Sequence, residues 1–231
     1  MPHRRTVLAL LLTYAALPAW ATAEHKYAKS EYAIVLGGEA PSGKLSIAAH
    51  GEGDAGSENF RLYLMAEPGH RKLMTLDSVN DDNILDSAPD AFHATWSADS
   101  RTVAVSFRSE RHIVTLNIYA VDGTKAKLLD GPDLFRDVTG ISVGSANDID
   151  MRSSIPQFTW SAPRRFHLTD YRVFVADDTK LADKLGPLAK TSKRDGGGNT
   201  IEFSAEADGE LLSDGKIRMG KPTVGKFEDS P

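Results

Sequence analysis

The densest run of side chains that could do chemistry is acidic: Asp77, Asp81, Asp82, Asp86 and Asp90 crowd one connection, with Asn80 and Asn83 among them. Oxygen ligands at that density suit calcium, and two carboxylates at the right separation could act as general acid and base. The EF-hand spacing and its bidentate glutamate are missing, and carboxylate separation is a three-dimensional quantity. The stretch therefore reads first as a solvated acidic loop, and Asn147, Asp148 and Asp150 read the same way. Six histidines follow the first twenty-odd residues, His25, His50, His70, His93, His112 and His167, and no two stand at the i, i+2 or i, i+4 spacing of a metal pair. The chain has no cysteine. That excludes disulfides, thiolate metal sites, a cysteine nucleophile and a lipid-modified cysteine. No catalytic, cofactor or metal residue is assigned.

Two glycine motifs match functional fingerprints literally. Gly51-Glu52-Gly53-Asp54-Ala55-Gly56 has the dinucleotide spacing, but that fingerprint must open a helix whose amides receive a pyrophosphate. Residues 60–65 alternate as a strand instead, and Glu52 and Asp54 would repel phosphate, so a mobile inter-strand loop is expected. Gly140-Ile141-Ser142-Val143-Gly144 has the nucleophile-elbow spacing, which needs a strand before it, a helix after it and a histidine beyond. Only 87 residues follow Gly144, and His167 is the one histidine beyond Ser142. A whole hydrolase domain does not fit there.

The elements that must carry these residues are strands. Val103, Val105 and Phe107 alternate with Thr102, Ala104 and Ser106, and Val114, Leu116 and Ile118 alternate with Thr115, Asn117 and Tyr119. A period of two in β-branched and aromatic residues puts one apolar face on each strand, and the short polar link at 109–111 makes the pair an antiparallel hairpin. Asp122-Gly123 turns the chain into another short strand at 125–129. Weaker copies flank this unit. Phe60, Leu62 and Leu64 share a face after the turn Ala40-Pro41-Ser42-Gly43-Lys44, and aligning Lys44 with Arg101 gives an offset of 57 residues. Phe158-Thr159-Trp160-Ser161 echoes the text around Trp96 at an offset of 64, and Tyr171, Val173 and Val175 alternate after it. One short helix is expected at 179–185, capped by Asp178, with Leu181, Leu185 and Leu188 as its apolar face and Gly186-Pro187 as its stop. Strands at 200–203 and 216–219 follow.

Trp96-Ser97-Ala98-Asp99-Ser100-Arg101, the alternating strand after it, and Ile118-Tyr119-Ala120-Val121-Asp122-Gly123 together resemble the blade repeat of TolB-type β-propellers. The middle copy has Ala98 and Ser100 where that pattern has proline and glycine, the first lacks the tryptophan, and the third loses the turn. The resemblance covers residues 39–176 and implies an all-β, propeller-like stack of antiparallel blades. Three repeats are countable, whereas a closed ring takes about 4 to 8. Closure by a divergent blade, an open stack or sandwich, and assembly of chains all remain open.

Residues 1–23 read as a secretory signal peptide: Arg4 and Arg5, an apolar run at 7–17 and the small-x-small site Ala21-Thr22-Ala23. The run is shorter than a bilayer span, so no membrane insertion is expected after cleavage. Arg4-Arg5 also fits the twin-arginine route, while the leucine-rich core favours the general secretory one. Without the leader the chain keeps 25 basic and 32 acidic residues, a net charge of −7. Charges are interspersed and no basic stripe exists, so nucleic acid is not an expected partner. The expected organisation is a leader, one all-β domain at 24–220 and a flexible tail at 221–231, in the bacterial periplasm or secreted. The resemblance implies docking of an envelope protein or peptide, with the loops at 51–57, 77–89 and 133–155 as candidate surfaces. Glu52, Asp54, Asp81, Asp82, Asp86, Asn147, Asp148 and Asp150 are their candidate residues. A hydrolase is the alternative, requiring Asp81, Asp82 or Asp86 to meet another acid in a cleft. An inhibitor or immunity-type protein is a third reading.

Overall fold

The computed structural model describes residues 22–142 and 150–227. The chain is mostly β, and its strands join in one large mixed sheet that does not close on itself. Four strands form a first antiparallel meander, β1 (Ala33–Glu39), β2 (Leu45–Glu52), β3 (Glu58–Ala66) and β4 (Arg71–Asn80). A second meander follows as β5 (His93–Trp96), β6 (Thr102–Glu110), β7 (Ile113–Asp122) and β8 (Lys125–Leu128). Then come α1 (Leu134–Thr139), β9 (Asp150–Ala162), β10 (Arg165–Ala176), α2 (Lys180–Leu185), β11 (Ala189–Lys193), β12 (Asn199–Leu211), β13 (Ile217–Met219) and β14 (Thr223–Val224).

Alternation decides what the first two meanders bury. Ile47 and Ala49 of β2, Phe60, Leu62 and Leu64 of β3, and Val103, Val105 and Phe107 of β6 meet in one core with Tyr119 and Val121 of β7. Phe92 stacks between Phe60 and Phe107 at ring-centroid distances of 5.0 and 5.8 Å. The intervening residues are buried too: Ala104 and Ile118 face a second cluster with Leu129 and Leu211, so β6 and β7 are covered on both sides.

Strand β1 ties the two meanders into one sheet. Its first residues pair antiparallel with β2, the ladder then slips between Ile34 and Glu39, and Leu36 pairs parallel with His93 of β5. The crossing brings backbones very close. A Cβ at Gly37, where φ is +67°, would stand 2.3 Å from the Ala94 carbonyl oxygen. Trp96 locks the corner, its indole N–H donating to the Gly38 carbonyl at 2.8 Å.

The turns before β2 and β6 close alike. Ala40 N–H donates to Leu45 O at 2.9 Å and Gly43 N–H to Ala40 O at 2.8 Å; 57 residues on, Ser97 N–H donates to Thr102 O at 2.8 Å and Ser100 N–H to Ser97 O at 2.9 Å. The two turns touch through Ser42 N–H and Ser100 Oγ, 3.0 Å apart. Beyond residue 130 the order changes. Strands β9 and β10 are 13 and 12 residues long, and the long strand β12 pairs with β10 along its length, leaving β11 outside it. Helix α2 occupies the link after β10, so the next strand in sequence is not the next in space. The segment expected as a third copy is therefore not a four-strand meander like the first two, and the sheet stays open.

Helix α2 forms where Leu181, Leu185 and Leu188 were expected to share an apolar face, and all three are buried. Asp178 Oδ1 accepts the Lys180 N–H at 3.0 Å, and Gly186 ends the helix with φ +56°. A second helix, α1, was not expected. Asp133 caps it by accepting the Arg136 N–H at 3.0 Å, and left-handed Gly140 stops it. The expected loose tail is tied down as far as residue 227: β14 pairs with β12, and Ser204 Oγ donates to the Lys226 carbonyl at 2.6 Å. No helix among the described residues is long and apolar enough to cross a membrane.

Candidate functional site

Two of the three loops singled out from the sequence meet at one end of the first two meanders, and a third segment joins them. Residues 22–28 lie across the gap. Ala23 N–H donates to Asp86 Oδ1 at 2.7 Å, the Ala23 carbonyl accepts from Ser87 and Ala88 at 2.9 and 3.1 Å, and buried Tyr27 donates its hydroxyl to Ser87 O at 2.6 Å. Ser87 Oγ in turn donates to Ala55 O. The glycine-rich loop is a seat for this segment: Gly56 has φ +64°, and a Cβ there would stand 1.9 Å from the His25 carbonyl oxygen. The loop packs against this segment at Gly56.

Five of the six described candidate acids have a side-chain partner. Asp86 is buried, and Arg108 grips it through Nε and a terminal nitrogen, both at 2.6 Å. Asp81 accepts from Arg61 at 2.6 Å, and that hydrogen bond holds its carboxyl below the usual range. Asp82 is exposed in a turn, its N–H donating to Asn80 Oδ1 at 2.9 Å. Glu52 accepts from Asn59 at 2.9 Å, Asp54 pairs with Lys26 and Asp150 pairs with Arg152. Asn147 and Asp148 lie outside the described residues. The loops come together, with Asp81 and Asp86 each facing an arginine. Among the described residues no three or more histidines or carboxylates are grouped so as to hold a metal ion.

Ser142 follows the helix α1 and its left-handed cap, so the strand that a nucleophile elbow needs before the serine is absent. Val143 and Gly144 of that motif lie outside the described residues.

Acids do gather elsewhere. Arg172, largely buried, donates to Asp170 Oδ1 and Oδ2 at 2.9 and 2.7 Å and to Asp133 at 2.7 Å. Burial pushes the Asp170 carboxyl up, with Arg172 pulling against it. A concavity of about 460 Å³ opens beside them, lined by Asp130, Asp133, Arg136, Asp137 and Lys216. Burial raises the Asp137 carboxyl, Arg136 opposes that, and Asp133 and Asp130 add to it. Asp133 already caps α1 and binds Arg172, so the cluster holds the fold's second half together.

A groove along β1 was not found from the sequence. It encloses about 440 Å³ between Ile34, Leu36, the Gly37-Gly38 corner and Glu39 on one side and Pro89 and Asp90 on the other. Leu36 is 57 % exposed and Ile34 36 %, whereas Val35 between them is buried. Exposed apolar side chains on a strand that leaves its ladder form an unusual surface. Glu39 and Asp90 give the groove an acidic rim, and both are exposed.

No family model matches the chain, and neither a curated protein nor a solved structure is significantly similar to it.

Proposed function

We propose that the chain is an exported, non-enzymatic interaction module of the bacterial envelope, whose β1 groove takes an extended apolar segment of another protein. The observation that carries this reading is the exposure of Leu36 and Ile34 along a 440 Å³ groove. Removing those side chains from water is favourable by about 25 cal/mol per Å² of apolar surface. The acidic rim of Glu39 and Asp90 favours a partner segment flanked by lysine or arginine, since complementary charge steers encounter. The pairing of Asp81 with Arg61 and of Asp86 with Arg108 supports binding over hydrolysis, because both carboxylates are engaged in holding loops.

A photo-crosslinking residue in place of Leu36 tests it, with the same residue at exposed Val224 as the control. A discrete protein adduct is expected from position 36 in envelope fractions, and its mapped peptide should be apolar with a basic flank. A probe at Glu39 should lose that adduct when Leu36→Asp is added at unchanged melting temperature. Identical adducts from positions 36 and 224, or none, would reject the groove as the docking surface.

A further inference from the structure

The leader offers two overlapping small-x-small sites, Ala19-Trp20-Ala21 and Ala21-Thr22-Ala23, and the sequence rule accepts either. The folded domain distinguishes them. Ala23 gives its N–H to Asp86, and its carbonyl receives the amides of Ser87 and Ala88. Asp86, Ser87 and Ala88 are all buried. A cut after Ala23 would remove that carbonyl, strand two buried amides without their acceptor and take a donor from a buried carboxylate. A cut after Ala21 keeps all three bonds.

We infer that the leader is hydrolysed at the Ala21–Thr22 bond, so that the exported protein begins at Thr22. Water adds across that one amide, leaving a carboxylate on Ala21 and an ammonium on Thr22. Thr22 is exposed, so the new charge stays hydrated, one residue from the Asp86–Arg108 pair. The acceptor role of Ala23 then belongs to the mature protein, and the leader ends two residues earlier than its last small-x-small match.

This inference rests on the export reading, and the test separates the two. The full chain from Met1 is expressed in a bacterial host, and the processed protein is weighed intact. A start at Thr22 is expected, unchanged by Ala23→Leu, whereas Ala19→Leu, which places a bulky residue three before the cut, should abolish it. A start at Glu24, with Ala23→Leu left as precursor, overturns the inference while leaving export standing. A product that still carries Met1 and stays inside the cell overturns both. As a second measurement, chains 22–231 and 24–231 released from a fusion are melted side by side. The longer chain is expected to melt higher, and equal melting would overturn the role given to Ala23.

Discussion

Trp96 donates its indole N–H to the carbonyl of Gly38, 2.8 Å away, at the point where β1 passes from one meander to the other. Trp96→Phe keeps most of the ring and removes the donor, leaving a buried carbonyl unsatisfied. A loss of about 1–3 kcal/mol is expected in urea unfolding. Gly37→Ala should cost at least as much, because the new Cβ meets Ala94 O and the positive φ disfavours any side chain. A Gly37→Ala protein as stable as wild type would show that the crossing is not as tight as described.

Asp86 and Arg108 form a largely buried pair that also anchors residue 23. Removing one partner of a buried pair costs about 3–5 kcal/mol. Asp86→Ala should therefore lower stability by that order and free the first residues as well. Trypsin should cut after Lys26 faster in the variant under native conditions. Unchanged cleavage there would show that the Ala23 carbonyl and Tyr27 hold the segment without Asp86.

Arg172 binds both Asp170 and Asp133 from a buried position. Arg172→Leu alone strands a buried carboxylate, and about 3–5 kcal/mol is expected to be lost. Arg172→Leu with Asp170→Leu should recover part of that loss, because the more deeply buried Asp170 charge is gone and only the half-buried Asp133 loses its arginine. A double variant as damaged as the sum of the singles would contradict this.

Both ring nitrogens of His70 face acceptors, Nδ1 toward Glu67 at 2.8 Å and Nε2 toward the Tyr32 carbonyl at 2.6 Å. Only the imidazolium donates at both. The Glu67 hydrogen bond, then the Tyr32 carbonyl, raise the His70 value above its ordinary one. Because the folded value exceeds the unfolded one, the stabilisation is complete below about pH 6.5 and lost as pH rises through the folded value. Glu67 runs the other way. Burial lifts it, but hydrogen bonds from His70 and Ser46 prevail and lower it, so its contribution is present above 4.5 and lost as pH falls through its folded value. His70 is partly exposed, so the effect is small. Melting temperatures between about pH 6 and 9 should fall more in wild type than in His70→Gln, and parallel curves would remove His70 from the account.

How much was legible follows from what each signal depends on. The strands built from Phe60, Leu62 and Leu64 and from Val103, Val105 and Phe107 could be read because alternation reports directly on a two-sided surface. Ile34-Val35-Leu36 gives no parity, since three apolar residues in a row suit either face, and the groove was invisible for that reason. The contacts of Ala23 run through its backbone, which leaves no trace in side-chain type. Gly140 could read as part of a nucleophile elbow or as a helix cap, and only the buried Leu134 and Phe135 before it decide for the cap. Phe158 to Ser161 matches the text around Trp96, yet the two-residue turn at 163–164 runs β9 straight into a long hairpin with β10. Local text cannot reveal that change of partners.

The two apolar cores, one of residues 27–126 and one of residues 134–207, meet along a thin seam. One parallel pair, Ile113 with Ser154, the Trp160 indole on Thr95 O at 2.9 Å and the small cluster around Ile118 and Leu211 bridge them, beside a cavity of about 220 Å³. With separate cores on either side of this seam, each half is expected to lose its order while the other keeps it. Amide exchange should then resolve two protection plateaus, one per core, and a single plateau would mean the seam carries more than its contacts suggest. On this account the chain is one continuous sheet in geometry and two cooperative units in thermodynamics.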